Sequence, residues 1–144
     1  MKLKSWLKYF IYIVVIFFLI TLREYVEQLA SAAYYRMQYP AINYYTVISF
    51  LLGVCIGLLL GLDHLLRELA KNGKWQINLP KLILLGIPSL YFSLTNIFLL
   101  STIHFLQVIF AYPLFHVIKY GSDFVPLFQL ILGYVIITSF DKNK

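Results

Sequence analysis

From Ile42 to Leu62 the chain carries no charged residue, and within that run Ser49, Gly53, Gly57 and Gly61 fall four apart. Four residues advance an α-helix by about 400°, so these positions form one slowly drifting stripe without side-chain bulk. In a bilayer such a stripe lets a second helix approach backbone to backbone. The run also has the length, about 20 residues, that crosses roughly 30 Å of hydrocarbon. A chain built around it has to satisfy every backbone N–H and C=O of the apolar layer internally, which points to helices.

Composition extends that constraint to the whole chain. Of 144 residues, 61% are hydrophobic and only 12% are charged, where a soluble domain is about one-quarter charged. Too little polar surface remains to cover an ordinary soluble core. Apolar runs at about 7–22, 42–62, 81–103 and 124–140 predict an all-α polytopic membrane protein. It is expected to be one domain, a bundle of four transmembrane helices with an outer interfacial or re-entrant segment. A single cysteine, Cys55, offers no internal disulfide and no metal-ligand cluster.

The N-terminal run follows three lysines, as a signal peptide would, and Ala30-Ser31-Ala32 resembles a cleavage site. Arg23, Glu24 and Glu27 intervene, so an uncleaved first span is the better reading. From Arg23 to Gln38 the pattern is amphipathic and reads as an interfacial helix, continuous with the first span or following it. Glu24 and Glu27 read as a solvated face rather than a cation site. Tyr34, Tyr35, Tyr39, Tyr44 and Tyr45 read as an aromatic belt at the headgroup layer.

Beyond the second span, Asp63 with Arg67 and His64 with Glu68 form i,i+4 pairs, and Asn72-Gly73 marks a stop. Pro80 suits the first turn of the third span, and Pro88 predicts a kink. Gly86, Ser89, Ser93 and Asn96 give that span a small, polar face. It is the expected counterpart of the glycine stripe, which makes the second and third spans the predicted closest pair. A single helix from Leu82 to Ile118 would be about 55 Å long, too long for one crossing. No turn signal stands between Leu100 and Ile103, so Phe105–Tyr120 is read as interfacial or re-entrant, broken at Pro113. Gly121-Ser122 then turns into the last span.

Charge sets the orientation. The net charge is +6. Lys2, Lys4, Lys8, Arg67, Lys71, Lys74, Lys81, Lys142 and Lys144 fall on one side of a four-span bundle, and Arg23, Arg36 and Lys119 on the other. Both termini are therefore expected to be cytoplasmic in the cell membrane, with anionic lipid headgroups meeting the inner face. Nucleic-acid binding is not expected, because no basic domain exists to carry it.

Packing chemistry is plentiful and reaction chemistry is scarce. The middle of every predicted span lacks an ionisable residue, which argues against an ion-coupled carrier. Asn96 and Gln129 are expected to hydrogen-bond neighbouring helices within the membrane. Asp63, His64, His104 and His116 are the residue types that acid–base or metal chemistry uses, but their spacing matches no zinc motif. No nucleophile elbow or P-loop occurs, so no catalytic residue, metal or cofactor is expected. The sequence favours a non-enzymatic subunit or scaffold of a membrane complex, with the bilayer and another membrane protein as partners. The alternative is a small transporter or lipid-handling protein that uses the apolar outer segment.

Overall fold

The computed structural model describes residues 2–101, 103–119 and 124–143. Helix α1 (Lys2–Tyr35) and helix α2 (Tyr39–Leu69) form an antiparallel hairpin. Strand β1 (Lys74–Ile77) leads into helix α3 (Leu79–Leu100). An outer helix α4 (104–118) and a last helix α5 (Phe124–Thr138) follow, and strand β2 (Phe140–Asn143) ends the described chain. Helices α1, α2 and α3 are long and apolar enough to cross a membrane, whereas α5 is apolar but has only 15 residues.

Nothing between Leu22 and Tyr35 breaks a helix, so α1 runs unbroken for 34 residues, about 50 Å at 1.5 Å per residue. It closes with paired bonds, Gln38 N–H to Ala33 C=O at 3.0 Å and Met37 N–H to Tyr34 C=O at 3.0 Å. This is a Schellman stop, whose C′ residue takes the left-handed conformation. Met37 occupies it at φ 55°. Pro40 then opens α2, where a missing N–H costs nothing.

The two interior prolines act alike. Pro88 and Pro113 each lie two residues past a π-helical stretch, Leu82–Gly86 and Gln107–Ala111. A proline ring clashes with the carbonyl four residues earlier, Leu84 or Ile109 here, and a widened turn relieves that clash. At Pro88, where a kink is expected, the helix widens into a π-helical turn just before the proline.

The chain does turn after Leu100, contrary to the sequence expectation. Ser101 and Ile103 adopt extended conformations. The Ser101 hydroxyl accepts the Ile103 N–H at 3.2 Å, and the Gln107 amide donates to the Ser101 carbonyl at 2.6 Å. Side chains supply the bonds that a glycine or proline turn does not need. Helix α4 then folds back on α3, with Phe98 stacked on Phe110 at 5.3 Å and the Tyr91 hydroxyl on the Phe110 carbonyl at 2.8 Å. The predicted turn at Gly121-Ser122 lies outside the described residues.

The expected pairing of the second and third spans is also corrected. Helix α5 lies between α2 and α3 and contacts both extensively, while the contact of α2 with α3 is concentrated at Thr95–Leu100. Stacking of Phe92 on Phe128 at 4.7 Å joins α3 to α5. At the far end Lys81 Nζ donates to the Thr138 hydroxyl at 2.7 Å.

A purely helical chain was expected, but β1 and β2 pair antiparallel, with Trp75 opposite Lys142 and Gln76 opposite Asp141. This ribbon closes the end of the bundle where α1 begins and α2 finishes. That end is called the strand end below, and the α4 side the hairpin end.

Candidate functional site

Three of the four stripe residues are used in packing. A side chain on Gly57 would collide with the Leu130 carbonyl and come within 3.0 Å of Gly133 Cα. One on Gly133 would strike the Val54 carbonyl and approach the Leu58 nitrogen to 2.8 Å. Gly53 lies against Gln129, and Gly61 against Ile137 and Thr138. Gly133 is the residue that sequence reasoning left out of this seam. On the other flank of α5, Ser89 and Ser93 are buried. Gly86 keeps ordinary spacing there, with Val135 3.8 Å from the position its Cβ would take.

Ser49, the fourth stripe residue, does something else. It faces α1, where Arg23 and Glu27 stand one turn apart. The Arg23 Nε–H donates to Ser49 Oγ at 3.3 Å, Ser49 Oγ–H donates to Glu27 Oε1 at 3.0 Å, and Arg23 Nη2 pairs with the same oxygen at 3.0 Å. The Arg23 side chain is only 13% exposed and that of Glu27 44%. An ion pair thus sits against the apolar run of α2, where no ionisable residue was expected. The cause is the unbroken α1, which carries Arg23 and Glu27 along the bundle instead of out of it. Their i,i+4 spacing, with no helix breaker before them, was the available signal.

These groups line a cavity of about 280 Å³ between α1, α2, α3 and α5. Asn96 and Ser93 reach it from α3, Tyr45 and Thr46 from α2, and Gln129 from α5. Gln129 is 3% exposed; its Nε2 donates to the Ser93 carbonyl at 3.4 Å, and its Oε1, packed against Gly53, has no partner among the described residues. A buried acceptor without a donor is costly, typically about 1–3 kcal/mol. A second cavity of about 340 Å³ shares Ala30, Ser31, Thr46 and Asn96 with the first. It continues past Ile42, Leu99 and Leu100 to Tyr34 and Tyr35. Together they make a groove that is polar at its inner reach and apolar toward the hairpin end.

The remaining candidates lie elsewhere. At the strand end Asp63 bonds Lys8 at 2.6 Å, and that hydrogen bond holds its carboxyl below the ordinary range. His64 Nε2 lies 2.9 Å from Asp141 Oδ1 on β2. Glu68 is buried beside them, and its ligand atoms, those of His64 and those of Asp141 fall within 4.8 Å of one another. Both Glu68 oxygens are already engaged, one by Lys71 Nζ at 2.5 Å and one by the Lys142 N–H at 2.9 Å. Those bonds hold the Glu68 carboxyl below the usual glutamate range. Lys142 also sits over the Trp75 ring at 4.9 Å. This cluster seats β2 on the charged tip of α2, beyond the apolar run that ends at Leu62. His104 and His116 stay exposed on α4, with His116 beside Tyr112. Comparisons with family models, curated proteins and solved structures returned no match to this chain.

Proposed function

We propose that this chain is a four-span protein of the cell membrane that binds an amphiphile without transforming it. In this reading α5 is the fourth crossing, short because β2 continues it at the strand end. Helix α4 is the outer re-entrant element. The strand end faces the cytoplasm with both termini, and Lys8, Arg67, Lys71, Lys74, Lys81 and Lys142 meet anionic headgroups there.

One observation carries the reading: a groove that begins at Arg23 and Glu27 and runs out along Leu99 and Leu100. Polar groups inside a bundle are expensive, and they mark ligand paths more often than structure. The groove matches a molecule with a polar head and an apolar chain, which favours lipid handling over the scaffold reading. The glycine stripe packs on α5 within the chain and so offers no surface to a partner.

Ala30 lines both cavities, so Ala30→Trp tests the proposal. The full chain, extracted in mild detergent from vesicles of known composition, is expected to retain lipid that the variant does not. Equal retention by both proteins would sink it. The subunit reading keeps one supporting feature, the bare apolar flank of α1 with Trp6, Phe10, Phe17 and Phe18 exposed. Site-specific crosslinking from Phe17 to a second protein, in place of lipid, would favour it.

A further inference from the structure

The polar reach of the groove carries equal and opposite charges. Arg23 and Glu27 are its only ionisable lining residues of opposite sign, and Ser49, Asn96 and Gln129 are neutral. Burying net charge in a low-dielectric site is costly, so a site of zero net charge favours an occupant of zero net charge. Each charge nevertheless keeps unfilled bonding capacity. The guanidinium has five N–H donors, of which Ser49 and Glu27 take one each. Glu27 Oε1 accepts from Arg23 and Ser49, while its second oxygen has no hydrogen bond among the described residues.

A head that answers both demands carries an anionic acceptor and an N–H donor in one neutral unit. We infer that the cavity takes the zwitterionic headgroup of an aminophospholipid, with its phosphate on Arg23 and its primary ammonium on Glu27. This rests on the amphiphile reading above and names the head. A sugar headgroup offers hydroxyls only, and charge-assisted bonds are roughly twice as strong as neutral ones. A choline head has no N–H to give. Quaternary ammonium groups are instead held by cages of aromatic faces, and only Tyr45 and Phe50 line this cavity. The acyl chains leave along Ile42, Leu99 and Leu100.

The test uses the full chain in vesicles holding equal amounts of ethanolamine, N-methyl, N,N-dimethyl and choline phospholipids with matched acyl chains, plus a glycosyl diacylglycerol. Lipid retained after mild extraction is weighed by mass spectrometry. Retention is expected to fall as N–H donors are removed, with the ethanolamine lipid about tenfold over the choline lipid, the worth of one charge-assisted hydrogen bond. Glu27→Gln, checked for folding by circular dichroism, is expected to bring that ratio near one by lowering retention of the ethanolamine lipid more than that of the choline lipid. The methylation series needs no variant, so a folding failure of Glu27→Gln leaves the test intact. Retention without headgroup preference, or preference for the glycolipid, overturns this inference and leaves the amphiphile reading standing. Retention no greater than that of Ala30→Trp overturns both.

Discussion

Helix α2 meets its two neighbours in opposite ways. Against α5 it presents Gly53, Gly57 and Gly61, and at Gly57 and Gly133 the two backbones touch. Against α1 it presents Ser49 to Arg23 and Glu27, and the long side chains hold a cavity open beside the contact. One seam removes bulk from both partners and closes. The other joins through charged groups that need room, and it stays hollow. The same four-residue stripe therefore serves structure along most of its length and the candidate site at one end.

The largest test of this contrast is Gly57→Ile. No shift short of separating the helices accommodates a branched side chain against the Leu130 carbonyl. A loss of about 3 kcal/mol or more is expected, at the upper end for overpacking, read by denaturation in detergent. Gly86→Ala is the control. Its nearest neighbours would lie 3.6 Å and 3.8 Å from the new methyl, so stability should hold or rise by up to about 1 kcal/mol, as for a helical glycine with room for a methyl. If the two substitutions cost the same, the close seam is not where α2 and α5 are held.

On the hollow side, a double-mutant cycle of Arg23→Gln and Glu27→Gln should give a coupling of about 1 kcal/mol, in the range of polar contacts within membranes. Additive effects in that cycle would mean that the pair is spectator chemistry. Smaller still, Met37→Gly at the hairpin joining α1 to α2 should raise stability by about 1 kcal/mol or slightly less. It relieves a left-handed non-glycine residue whose side chain is exposed. A lower melting temperature would contradict the Schellman stop.

The strand end continues the α2–α5 seam, and its pH response is expected to be modest. Glu68 has its folded pKa depressed below the ordinary 4.5 by Lys71 and the Lys142 N–H. Its contribution is therefore present above that value and lost as pH falls through the lower folded one. The protection of the Gln76 and Asn78 amides against exchange, relative to the intrinsic rate at each pH, should fall over that acid range in the wild type and much less in Glu68→Gln. Protection that does not change with pH would detach the ribbon from Glu68.

Several features were open to reading from residues alone because they are local. Helix length and apolarity in α1, α2 and α3 follow from runs of side chains, and the Pro80 start follows from a missing N–H. The stop after Leu100 was missed because Ser101 and Gln107 build it with side-chain bonds, which no glycine or proline advertises. The ribbon was missed because Lys74–Ile77 and Phe140–Asn143 stand far apart in the chain, and neither is long enough to declare itself.

For the candidate site, Asn96 and Gln129 were recognised as polar groups needing partners, while Glu27 was assigned to a solvated face and Arg23 to the charges on the side opposite the termini. By itself the sequence determined that helices form, that the chain is apolar enough for a membrane, and that α2 carries a stripe without bulk. Tertiary structure alone decided that the stripe closes on α5 rather than α3, and that its first residue turns to α1. A stripe specifies only that something comes close. Which helix does so depends on where small residues such as Gly133 fall on every other helix once all are packed together.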